Sequence, residues 1–178
     1  MRPAFAAIAA LVIATPAMAA ESPSAEILRQ WPRAGTWSTA MIRTSSQDLA
    51  CYTAAAPISS ASRTLPGLRI KGDDLAIEIT DHDARALGGN AIQVVVDGAP
   101  VGRFDVTERL HGFGVTTILA EVPLDKREQV MSAFQHGRSI VFLTGAARYT
   151  ASLAGTNAAA ANLLACMDGA RDLAEAAR

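Results

Sequence analysis

Two cysteines, three histidines and a few acidic or glycine-rich turns are the groups in this 178-residue chain whose types and spacing suggest chemistry. Cys51 and Cys166 stand far apart, outside any Cys-X-X-Cys and with no histidine at ligand spacing. That pattern disfavours a dithiol redox centre or a zinc pair and reads as a structural disulfide formed in an oxidising compartment. Closing a loop of about 100 residues is worth about 4.7 kcal/mol of chain entropy. Asp81-His82-Asp83, with Arg85 behind it, offers oxygen and imidazole ligands to a divalent cation. Neighbours on a strand point to opposite faces, however, and two carboxylates alone bind weakly. The expectation is a solvated turn and no metal. His111-Gly112-Phe113-Gly114 places glycines beside a histidine, where backbone N–H groups can be exposed as an oxyanion site needs. No partnered nucleophile is visible, so a flexible loop is expected there. Gly145-Ala146-Ala147-Arg148-Tyr149 is a glycine turn presenting two side chains that make large anchoring contacts. The competing reading is a hairpin turn whose Tyr149 packs in the core. No Gly-X-Ser-X-Gly elbow, P-loop, dinucleotide fingerprint or His-Glu-X-X-His occurs. No catalytic residue and no cofactor are therefore expected.

The elements that position these groups read mostly as hairpins. Ala25 to Trp31 reads as a short helix that Ser24 caps and Pro32 ends. Trp37 to Ile42 alternates like a strand, Ser45 to Asp48 is a turn, and Leu49 to Thr53 returns carrying Cys51. Pro57 to Pro66 reads as a connection or an edge strand. Leu68 and Ile70 lead through Gly72-Asp73-Asp74 into Leu75, Ile77 and Ile79. Ile92 to Val96 turns at Asp97-Gly98, a pair suited to positive φ, into Val101 to Val106. Val115 to Val122 is a further strand after the loose Leu110 to Gly114.

Then the period changes. Asp125 and Glu128 have capping-box spacing, Val130, Met131 and Phe134 share one helical face, and Gly137 is a natural stop. Strands follow at Arg138 to Thr144 and Arg148 to Leu153. An alanine-rich helix then begins at Thr156 or Asn157 and ends at Gly169. The expected fold is mainly β, of the α+β kind: an antiparallel β-sandwich or partly closed barrel with the late helices packed on it. Residues 35–169 form one domain, after an N-terminal segment at 20–34 and before a tail at 170–178.

The first 19 residues read as a secretory leader. Arg2 is their one charge, an apolar run of about ten residues follows, far below the roughly 20 of a membrane span, and Ala17-Met18-Ala19 supplies the small residues of a cleavage site. The expected location is therefore periplasmic or secreted, with a mature form that does not span a membrane. Losing Arg2 leaves 15 cations against 17 acids, a balance of −2. With arginines scattered and aromatics at 5%, that is no footprint for nucleic acid and no stacking groove.

Several pieces together resemble a known family. They are the Trp-bearing strand at Gly35-Thr36-Trp37, the Cys-bearing strand at Cys51, Ile92 to Gly98 ending in Asp-Gly, and a helix leading into Gly137-Arg138-Ser139-Ile140. Tyr149 to Thr156 then runs into the alanine-rich helix with Cys166. This order resembles the small exported bacterial envelope proteins of the invasion-associated locus B type, over roughly Trp37 to Cys166. The resemblance implies a β-rich periplasmic module without cofactor, serving envelope integrity, secretion or host interaction. The leading expectation is thus a non-enzymatic binding or accessory module with a protein partner in the envelope or outside the cell. The alternative is a secreted, lysozyme-inhibitor-like hydrolase inhibitor acting through Gly145 to Tyr149. A small hydrolase working at the Gly112 loop comes third.

Overall fold

The computed structural model describes residues 26–44, 46–55, 64–112 and 114–176. Residues 1–19, read above as a secretory leader, and Ser24 lie outside the described residues, as do 56–63. Along the chain come β1 (Glu26–Gln30), β2 (Ser38–Arg43), β3 (Leu49–Ala54), β4 (Thr64–Lys71), β5 (Asp74–Asp81), β6 (Ala91–Val96), β7 (Ala99–Gly112), β8 (Val115–Glu121), α1 (Leu124–His136), β9 (Ser139–Thr144), β10 (Ala147–Ser152) and α2 (Thr156–Ala176). The ten strands form one antiparallel sheet, ordered β1-β2-β3-β4-β5-β8-β7-β6-β9-β10 and not closed into a barrel. The mainly β, antiparallel fold with late helices is therefore the observed one.

Period-two patterning builds the sheet. In β5, Leu75, Ile77 and Ile79 turn to the core, and in β6 Ile92, Val94 and Val96 do the same. β7 is the pivot. Its first half, Ala91↔Asp105 to Val96↔Ala99, pairs with β6, and its second half, Val106↔Ala120 to Gly112↔Val115, pairs with β8. A register shift between Val106 and Glu108 marks the changeover, and such a bulge bends a strand and increases its twist. The sheet thereby folds over on itself. Leu68, Ile77 and Ile118 from one half share a core with Ile92, Phe104 and Phe142 from the other. Phe134 of α1 enters the same core and meets Trp37 edge-on, centroids 4.7 Å apart at 89°. Trp37 Nε1 also donates to Ser152 O at 2.7 Å, which ties the start of β2 to the end of β10.

Four local expectations are corrected. Residues 26–30 form an edge strand on β2, not a helix. A seven-residue helix is too short to offset its nucleation cost, whereas β2 offers a ready ladder, and Leu28 and Trp31 pack on the Met41–Cys166 cluster. Leu110 to Gly112 are paired residues of β7 and not a loose loop; they stay in the ladder with β8 although Leu110 and His111 are exposed. Asp125 does not cap α1. The N-cap is Pro123, without any side-chain cap bond, and Asp125 sits inside the first turn, where its charge still suits the helix dipole. Finally, α2 runs through Gly169 to Ala176. A Cβ at Gly169 would lie 3.3 Å from Met41 Cε, so this glycine lets the helix cross the sheet closely and does not end it.

Candidate functional site

The acidic motif and the Gly145 turn, far apart in the chain, meet at one end of the folded sheet. Asp81 closes β5 and is 7% exposed, because Tyr149 covers it, so the solvated turn expected at 81–83 holds only for His82 and Asp83. Its Oδ2 accepts from the Tyr149 hydroxyl at 2.7 Å, and its Oδ1 accepts from the Asp83 N–H at 2.9 Å, with His82 Nδ1 at 3.1 Å. Asp81 is paired across the ladder with Thr116, and Thr116 with His111. His111 Nδ1 lies 3.0 Å from Thr116 Oγ1. The third motif therefore joins the same row through a residue that sequence reasoning did not single out. Phe113 lies outside the described residues.

The chemistry of this row is confined by its own bonds. Burial, then the hydrogen bond and charge of Asp81, then Asp83, push the Tyr149 phenol well above its ordinary pKa, so Tyr149 stays a protonated donor. Both Asp81 oxygens are engaged, and Asp83 Oδ1 accepts from the Arg85 N–H at 3.0 Å. His111 and Thr116 have the spacing of a base and a nucleophile. Thr116 is 2% exposed, however, so its hydroxyl is closed to a substrate. His136 lies at the exposed end of α1, with Nδ1 2.9 Å from Ser132 O. Among the described residues no group of three or more His, Cys, Asp or Glu is placed to hold a metal ion. Arg148 is exposed on β10, while Tyr149 is turned inward. Of the turn's two candidate anchors, Arg148 alone faces solvent, and Tyr149 packs against the core as the hairpin-turn reading expects.

A second arrangement lies at the opposite end of the structure. Cys51 of β3 and Cys166 of α2 form the expected disulfide, with Cα atoms 5.9 Å apart and a sequence separation of 115. Both are buried against Met41 and Leu163. Beyond the bridge, the last turns of α2 overhang the sheet and leave a groove of about 640 Å³. Leu49, Cys51, Ile70, Met167, Ala170 and Leu173 supply its apolar surface. Arg43, Asp48, Lys71, Asp74 and Arg171 supply its charged rim. Neighbouring partners occupy the rim charges: Arg43–Glu26 at 2.7 Å, Lys71–Asp48 at 2.6 Å, Arg127–Asp74 at 3.0 Å and Arg171–Asp73 at 3.8 Å. The Lys71 ammonium, with Ser46, holds the Asp48 carboxyl below the usual carboxylate range. Such exposed pairs are worth little each, so a partner can re-sort them at small cost. Leu173, half exposed at the mouth, is an apolar side chain without full cover.

Sequence reasoning missed this groove because its walls come from three separate stretches, 43–51, 70–74 and 167–174. One signal was present. Met167, Ala170 and Ala174 continue an apolar helical stripe past Gly169. On the other face of the sheet a further pair escaped notice: Arg69 Nε lies 3.6 Å from Glu78 Oε2, with side chains 16% and 13% exposed. Burial pushes the Glu78 carboxyl up to about 7, against the pull of Arg69 and with help from Glu108.

Comparison with known proteins finds no matching family, no matching curated protein and no matching solved structure.

Proposed function

We propose that this protein is an exported binding or accessory module of the bacterial envelope, periplasmic or secreted, that seats a partner protein in the groove between α2 and the sheet. The observation that carries the reading is the groove itself. It has an apolar centre and a charged rim, the anatomy of a protein-binding surface. Met167 adds a flexible, adaptable contact. The polar row at Asp81 supports the same reading from the other side, since the Asp81 carboxylate is engaged by Tyr149 in holding β10 to β5. Export is supported by the leader-like residues Met1 to Ala19 and by the buried disulfide. No described helix is long and apolar enough to cross a membrane. The likeness of its ordered motifs to the invasion-associated locus B type adds envelope integrity, secretion or host interaction as the setting. The groove is favoured over a hydrolase-inhibiting Gly145–Tyr149 loop because the Tyr149 hydroxyl is already bonded to Asp81.

The test is site-directed photo-crosslinking in the native host. A crosslinker in place of Leu173 is expected to give a discrete protein adduct that a second change, Ala170→Arg, suppresses by filling the groove. One in place of Lys126, exposed in the first half of α1, is expected to give none. No adduct at 173, or one indifferent to the arginine, would contradict the reading.

A further inference from the structure

Among the described residues the sheet is open, with β1 and β10 as its end strands. An edge exposes a row of N–H and C=O groups that water or another strand must satisfy, and natural proteins blunt such edges with bulges and charges. β1 is blunted. Its ladder to β2 breaks register between Ile27 and Arg29, Glu26 is tied to Arg43 at 2.7 Å, and the Arg29 guanidinium lies 4.7 Å from the Trp31 ring centroid.

β10 is not. It pairs with β9 without a register break from Ala147↔Thr144 to Ser152↔Ser139, and it contains no proline. Gly145, at φ +53, opens the two-residue turn. Such a turn makes Thr144 and Ala147 the closing hydrogen-bonded pair, so Ala147, Tyr149 and Ala151 spend their backbone groups on β9. Arg148, Thr150 and Ser152 turn theirs to the open side. The Leu153 N–H, which donates to Arg138 O at 2.8 Å, keeps this phase. At Ser152 the open side is taken, because its carbonyl accepts from Trp37 Nε1 at 2.7 Å and Thr36 Oγ1 at 3.4 Å. Arg148 and Thr150 remain, both exposed. Arg148 has no ion-pair partner among the described residues.

We propose that the β10 edge, at Arg148 and Thr150, is a strand-addition site that takes an extended segment of a partner protein carrying a carboxylate side chain beside Arg148. Main-chain hydrogen bonds supply affinity in this mode, and side chains supply selectivity. The edge is short, blocked at one end by Trp37 and bounded at the other by the Gly145 turn, so a brief extended segment fits it and a full-length sheet does not. This inference does not depend on the groove.

The test uses the oxidised protein as purified from its own cells and two short blocked peptides, one alternating valine with glutamate, the other valine with lysine. Amide signals are followed by NMR during titration to millimolar peptide. The glutamate peptide is expected to shift the Arg148 and Thr150 amides and slow their exchange, and to bind more tightly than the lysine peptide. Thr150→Pro, which deletes one outward N–H without touching the β9 ladder, is expected to weaken binding about 5-fold or more. Arg148→Glu, on an exposed side chain, is expected to reverse the preference between the two peptides and keeps the test decisive if the proline variant misfolds. Equal binding of both peptides, or shifts that spare residues 148–150, would overturn the proposal. Protection of the same amides in a concentration-dependent dimer without peptide would overturn it in favour of self-pairing.

Discussion

Replacing both cysteines with alanine removes the one covalent link between α2 and the sheet, and the size of the effect follows from the chain. The bridge closes a separation of 115 residues, and the loop-entropy relation gives about 4.8 kcal/mol for a loop of that size, with typical measured losses of about 2–5 kcal/mol. The double variant should therefore lose about 4 kcal/mol. For a domain of roughly 150 residues each kcal/mol moves Tm by about 2–4 °C, so the drop is roughly 10–15 °C. Urea unfolding provides the assay, on the oxidised protein, the same protein with reductant, and the double variant with and without reductant. The midpoint should fall with reductant in the first and be indifferent to it in the last. The slope m should rise in both uncrosslinked forms, because their unfolded chains expose more surface. A double variant with the midpoint of the oxidised protein would refute the reasoning, since α2 would then be held by packing alone.

Other perturbations have equally definite outcomes. Glu78 has a folded pKa of about 7 against an ordinary 4.5, so the folded state keeps a proton that the unfolded state releases. Stability from this group is present below about pH 4.5 and falls as pH rises to about 7, by about 3 kcal/mol if it acts alone. Glu78→Gln should flatten that fall, and parallel urea midpoints for both proteins between pH 4.5 and 7.5 would contradict it. Tyr149→Phe leaves the buried Asp81 carboxylate without its 2.7 Å donor and should cost about 1–3 kcal/mol in urea unfolding; a neutral result would mean that water replaces the phenol. Gly137→Val should destabilise by about 1–3 kcal/mol, because a Cβ there would meet Val96 Cγ1 at 2.3 Å and Leu153 Cδ1 at 2.8 Å. Thermal unfolding at wild-type Tm would rule out that close approach.

What the residues revealed in advance follows the range of the interactions. Ile77 and Ile79 alternate with Glu78 and Thr80, and a period of two is enough to place a strand and its core face. Asp97-Gly98 named its own turn, with φ +51 and +83. Two cysteines in a chain with a leader-like start left one intramolecular pairing open. Other features needed neighbours that sequence distance conceals. Glu26 to Gln30 became a strand because β2 was there to pair with it. Gly169 marks a helix crossing at Met41, a fact about a residue far earlier in the chain. Glu78 sits on the face read as the polar side, yet its side chain is only 13% exposed beside Arg69. Asp81 and Tyr149, 68 residues apart, were read as separate motifs and are one hydrogen-bonded unit. The groove draws its walls from three stretches that touch after folding, and no local pattern contains it.

The proposed function depends most on the groove between α2 and the sheet being the surface that a partner covers. Hydrogen exchange of the oxidised protein, measured alone and in solubilised extract of its own cells, tests that surface directly. Slowed exchange at 47–51, 70–74 and 167–174 is the result expected of a partner in the groove. No slowing anywhere, or slowing confined to β6, β9 and β10, would contradict it.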